Sequence, residues 1–113
     1  MKSYTDLEQS KKLAEFLPLK SADMYYPIEG ASPKFGIALS ISTNIPCWSL
    51  AALLNILPNS IYDNTDEYSQ IEFTKRSVAY HDMNDGIKVG SIKENLVDAA
   101  YKVILKLHEL NLL

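Results

Sequence analysis

Apolar residues along this chain of 113 residues recur with two different periods. Three segments show the 3.6-residue spacing of a helix with one apolar side, and the stretches between them alternate as strands do. In the first helical segment Leu7, Leu13, Ala14, Phe16 and Leu17 gather on one side, while Glu8, Lys11, Lys12 and Glu15 face water. Thr5-x-x-Glu8 offers a capping box at its start, and Pro18 disfavours helical geometry at Leu17. The second segment runs from Pro46 to Leu57. Proline suits the first helical position because its missing N–H has no partner there in any case. Residues 46–57 are apolar nearly all round the cylinder, which predicts a buried helix at the centre of the fold. The third helix is predicted over Ile92 to Leu110, opened by a second capping box, Ser91-x-x-Glu94. Ile92, Leu96, Ala99, Ala100, Val103, Leu107 and Leu110 form its main stripe, and Asp98 precedes Lys102 by four residues, the favourable order for an ion pair. Val97, Tyr101 and Leu105 form a second apolar line, rotated away from the first.

Period two governs the rest. From Phe35 to Ser42 the large residues Phe35, Ile37, Leu39 and Ile41 alternate with Gly36, Ala38, Ser40 and Ser42. Between Gln70 and His81 a hairpin with a four-residue loop, Thr74 to Ser77, pairs Phe73 with Val78 and Ile71 with Tyr80 on one face. Asp85-Gly86 predicts a turn into a short return strand, Ile87 to Val89. A further strand is predicted at Asp23 to Tyr26. The element order is α-β-β-α-β-β-β-α. This describes one α+β domain over residues 1–113, with an antiparallel sheet of four to five strands and three helices packed mainly on one face.

Composition narrows the function classes. Eleven Lys and Arg against fourteen Asp and Glu leave a net charge of −3, with no basic stripe of the kind a nucleic-acid binder carries. The best basic patch, Lys75-Arg76, is two residues at a hairpin tip. No run approaches the roughly 20 apolar residues that span a bilayer. A lone Cys47 and an N-terminus without the apolar core of a signal peptide fit a reducing, cytoplasmic setting.

Candidate chemistry is sparse. Cys47, placed in the first turn of a predicted helix, is a candidate nucleophile because the helix dipole lowers a thiol's pKa there. A base is needed beside it, and His81 and His108 are the two histidines in the chain. Against that, a cysteine next to Trp48 serves equally well as a small buried hydrophobe. His81 opens His81-Asp82-Met83-Asn84-Asp85-Gly86, whose spacing fails the EF-hand pattern, and Asp63 to Glu67 fails it too. Both segments read as polar turns. His108 belongs to the last turn of a helix, where a cation complements the dipole. No phosphate-cradling glycine motif is present, and no metal, cofactor or paired catalytic carboxylates are indicated. These residues favour a non-enzymatic role.

Seven tyrosines are many for this length. Tyr25, Tyr26, Tyr62, Tyr68 and Tyr101 fall at strand ends, loops and helix flanks, and tyrosine is enriched where proteins meet proteins. With the line of Val97, Tyr101 and Leu105 they point to a protein-interaction module or a homo-oligomer such as a homodimer. The alternative is a small-molecule binder or minor enzyme with a pocket over the small face of strand 35–42, at Gly36, Ala38, Ser40 and Ser42.

Ser21 to Tyr26, Ile45-Pro46-Cys47-Trp48-Ser49-Leu50-Ala51-Ala52-Leu53-Leu54, Leu57-Pro58, and the run from Leu96 to Tyr101 continuing through Leu105 to Leu110 carry a likeness. Together they resemble a group of short uncharacterised proteins encoded by gut anaerobes, often in prophages and other mobile elements. The resemblance covers nearly the whole chain and implies a single-domain cytoplasmic protein of mobile-element origin. It brings no activity, cofactor or functional residue with it.

Overall fold

Asp6, rather than Thr5, opens the first helix. In the computed structural model, which describes residues 2–37, 44–62, 68–82 and 86–113, helix α1 spans Leu7–Ala14. The Asp6 carboxylate accepts the Gln9 N–H at 2.8 Å, and the Gln9 side chain accepts the Asp6 N–H at 3.1 Å. This is the reciprocal cap expected from the sequence, moved one residue along. Thr5 is unavailable because its hydroxyl is fully buried and serves the Trp48 N–H.

The chain forms two compact units, Met1–Leu54 and Asn55–Leu113. In the first, a 3₁₀ turn at Leu19–Ser21 leads into strand β1 (Met24–Tyr26). Strand β1 pairs antiparallel with β2 (Lys34–Phe35) on one side and β3 (Ile45–Cys47) on the other. The segment expected to start a helix at Pro46 is thus a strand, with Pro46 opposite Tyr25. Strand β3 lies at the sheet's edge, where a residue without an N–H is tolerated. Helix α2 begins only at Leu50 and ends at Ile56. Ala52 and Leu53 are buried while Ala51 and Asn55 are exposed, so it has one covered side and is not the all-round buried element its composition suggests. Met24, Tyr26 and Cys47 pack with Leu7 and Ile45 in the core of this unit. Strand β2 is also shorter than the predicted strand 35–42. Gly36 has φ of +132°, a geometry outside the strand region, so the alternation breaks there. Phe35 and Ile37, expected on a covered face, are 79% and 66% exposed. Positions 38–42 lie outside the described residues.

The second unit is a four-stranded antiparallel meander with a helix on one face. Strands β4 (Ser60–Tyr62), β5 (Tyr68–Phe73), β6 (Ser77–His81) and β7 (Ile87–Ile92) follow in order. The β5–β6 register pairs Ile71 with Tyr80 and Phe73 with Val78, as the alternation predicts. Strand β4 has no counterpart in the sequence reading, and Ile92 ends β7 instead of opening the helix. Helix α3 spans Leu96–Glu109, capped by Asn95, whose side chain accepts the Asp98 N–H at 2.8 Å. The Ser91/Glu94 box therefore lies upstream of it. Val97, Ala100, Val103, Ile104 and Leu107 are fully buried, and α3 packs on β6 and β7 above Val78, Tyr80 and Val89. Each valine, leucine or isoleucine side chain removed from water here contributes about 1.5–3 kcal/mol. The class is α+β with antiparallel strands, in two sheets rather than one.

Candidate functional site

Backbone bonding shows what the second sheet leaves open. The Lys93 N–H donates to the Arg76 carbonyl at 2.9 Å, in line with the β6–β7 register. Antiparallel ladders alternate bonded and non-bonded pairs. Val78–Ser91 and Tyr80–Val89 are therefore bonded, whereas Ala79–Gly90 and Ser77–Ile92 are not. The N–H and C=O groups of Gly90 and Ile92 consequently point away from β6, toward the free edge of the sheet. At that edge the Lys106 ammonium donates to the Gly90 carbonyl at 2.5 Å. A hollow of about 250 Å³ runs beside it, lined by Lys88, Val89, Gly90, Lys106, Glu109 and Leu110. Lys88 is the extra residue of a bulge, since Tyr80 faces Val89 while His81 faces Ile87.

The same alternation sorts the faces. Val78, Tyr80 and Val89 point to α3, so Ser77, Ala79, His81, Gly90 and Ile92 face outward. Ala79 and Gly90 are small and form the floor of a hollow of about 500 Å³, walled by His81, Ile87 and Ile92. The floor is close-set: a Cβ on Gly90 would sit 3.2 Å from that of Ala79 and 3.1 Å from the Ile87 side chain. Ile87 is 64% and Ile92 75% exposed, a poor use of two β-branched apolar residues unless something covers them. His81 Nε2 lies 3.7 Å from the Glu72 carboxylate on this face.

The residues nominated from sequence are placed unevenly. Val97 is 0% exposed and belongs to the core beneath α3, so it drops out of the predicted surface line. Tyr101 and Leu105 are half-buried. Cys47 lies at the end of β3, three residues before α2 begins, rather than in a helical turn. Its thiol donates to the Thr5 carbonyl, and burial pushes its pKa up, against the hydrogen bond from the Thr5 hydroxyl that lowers it. An inert structural thiol fits these surroundings. Cys47 belongs to the first unit and His81 to the second.

A third hollow, about 550 Å³, lies in the first unit beside Phe35 and is lined by Tyr4, Asp23 and Ser49 among others. The amide and hydroxyl of Ser49 both donate to the Asp23 carboxylate, and Ser49 Oγ accepts the Ala52 N–H at 3.2 Å. This pair is used in fixing the start of α2. Gly36 does not line that hollow.

Gly90, Ile92, Ile87 and Lys106 were not singled out by pattern. By spacing alone Ile92 belongs to the predicted helix, and the signal within reach is a glycine inside a strand, which marks close approach. Among the described residues no helix is long and apolar enough to cross a membrane, and no three His, Cys, Asp or Glu side chains gather as a metal requires. No family model, curated protein or solved structure matches the chain. The likeness to the mobile-element group rests on the sequence alone.

Proposed function

We propose that this protein is a cytoplasmic interaction module that binds a second copy of itself or another protein through the outer face and free edge of its second sheet. The observation that carries the reading is the exposure of Ile87 and Ile92 around the Ala79–Gly90 hollow. Apolar contact centres of this kind, rimmed by polar groups such as Ser77, His81 and Glu72, are where hot spots form. The origin in a mobile element implied by the resemblance is part of the same proposal, and neither a cofactor nor nucleic acid is needed for it.

Cross-linking of the full chain in its host, followed by mass determination, tests it. The expected result is a defined cross-linked species, lost in Ile87→Asp and Ile92→Asp while circular dichroism stays native. A species unchanged in both variants would move the interface elsewhere.

A further inference from the structure

We propose that β7 is a pairing edge for β7 of a second copy, and that Lys106 is the latch that holds it closed. The inference rests on the interaction reading and names the partner and the geometry. A strand edge with outward N–H and C=O groups is satisfied by another strand. Here the outward groups belong to Gly90 and Ile92. A two-fold axis at Ser91 sets Gly90 of one copy opposite Ile92 of the other, and Ile92 opposite Gly90. All four residues then exchange N–H···O=C bonds, so every outward group counted above is used.

The side chains fit the same register. Each Ile92 lies over the glycine of the other copy, next to the small Ala79, so the exposed branch of one fills the hollow of the other. The bulge at Lys88 and the end of β7 at Ile92 bound the segment that can pair in this register. The short strand β4 forms the other edge and offers no such small-against-large match.

Lys106 stands in the way. Its ammonium takes the Gly90 carbonyl, one of the acceptors that pairing needs. Covering an edge with lysine is a known defence against unwanted strand addition. Releasing the ammonium to water opens the edge, so the latch and the pairing surface compete for one oxygen.

Sedimentation equilibrium on the full chain over a wide concentration range tests this. Lys106→Met keeps the aliphatic stem and removes the charged donor; Lys106→Gln is a second variant should the first fold poorly. Either is expected to tighten dimerisation about a hundredfold, tenfold for each of the two latch bonds that a symmetric dimer has to open. Ile92→Pro deletes an N–H that does not serve the β6 ladder, and should return the latch variant to monomer. A latch variant that stays monomeric, or a dimer indifferent to Ile92→Pro, overturns the proposal. If the latch variants remain monomeric while an Ile87→Asp-sensitive complex with another protein persists, this pairing fails and the interaction reading stands. If both are missing, both fail.

Discussion

Thr5 holds Cys47 from two directions: its carbonyl accepts the thiol at 3.4 Å, and its hydroxyl donates to the sulfur at 3.6 Å. The same hydroxyl oxygen accepts the Trp48 N–H at 3.1 Å and lies 2.7 Å from Ser10 Oγ, while the Tyr26 hydroxyl donates to the Thr5 carbonyl at 2.8 Å. With the Ser10 hydroxyl as donor, every lone pair and proton of the Thr5 side chain is committed. One buried residue thereby ties α1, β1 and β3 together.

Thr5→Val keeps the shape and deletes the hydroxyl, leaving the Trp48 N–H and Ser10 without that partner. The expected cost is about 1–3 kcal/mol in urea or guanidinium unfolding, with Thr5→Ser in between. A change under about 0.5 kcal/mol, the level of an ordinary surface substitution, would show the hub to be dispensable.

The Cys47 thiol has its pKa raised in the folded chain, chiefly by burial. Burial likewise raises the Tyr26 and Tyr80 hydroxyls. The folded state therefore keeps protons that the unfolded chain releases, so these groups give their full stability below the unfolded pKa values. That stability declines as pH climbs past about 8.5 for the thiol and about 10 for the tyrosines. Unfolding midpoints measured from pH 7 to 11 should fall in two stages, and Cys47→Ala should remove the first. A thiol-reactive probe at pH 8 should label Cys47 only as fast as the chain opens; immediate labelling contradicts its burial.

Helix α3 separates two caps that look alike in sequence. Asn95 accepts the Asp98 N–H, whereas Ser91 and Glu94 lie before the helix. Asn95→Ala should cost about 1 kcal/mol, and Ser91→Ala almost nothing. Equal costs would return the cap to Ser91.

What could be read from sequence followed the strength of the local signal. The β5–β6 pairing was legible to the residue because alternation and loop length agree there. Pro46 misled because a proline fits an edge strand as well as a helix start, and the choice was made by pairing with Tyr25, a contact across the sheet. Thr5 has the spacing of a cap because the pattern contains nothing of Trp48, 43 residues on. Ile92 continued a helical stripe by spacing alone, while Asn95 set the start of the helix. The exposed face of the second sheet was hidden for the same reason: its two apolar walls, Ile87 and Ile92, come into line with Ala79 and Gly90 only once the register and the bulge at Lys88 are fixed.

Two surfaces remain to be told apart by substitution, the remainder of the α3 line and the sheet face. Val97 is fully buried, so Val97→Ala should cost about 2 kcal/mol of stability and leave assembly unchanged at temperatures where the chain stays folded. Tyr101 and Leu105 are only half-covered, and Tyr101→Asp with Leu105→Asp should lower stability modestly without abolishing the cross-linked species. Ile87→Asp and Ile92→Asp should do the reverse, because both side chains are already in water in the single chain and lose little on becoming charged. Thermal unfolding and cross-linking on the same five variants make the comparison. If the Tyr101 and Leu105 changes abolish assembly while the isoleucine changes spare it, the interface belongs to α3 and the exposed face of the sheet plays no part in it.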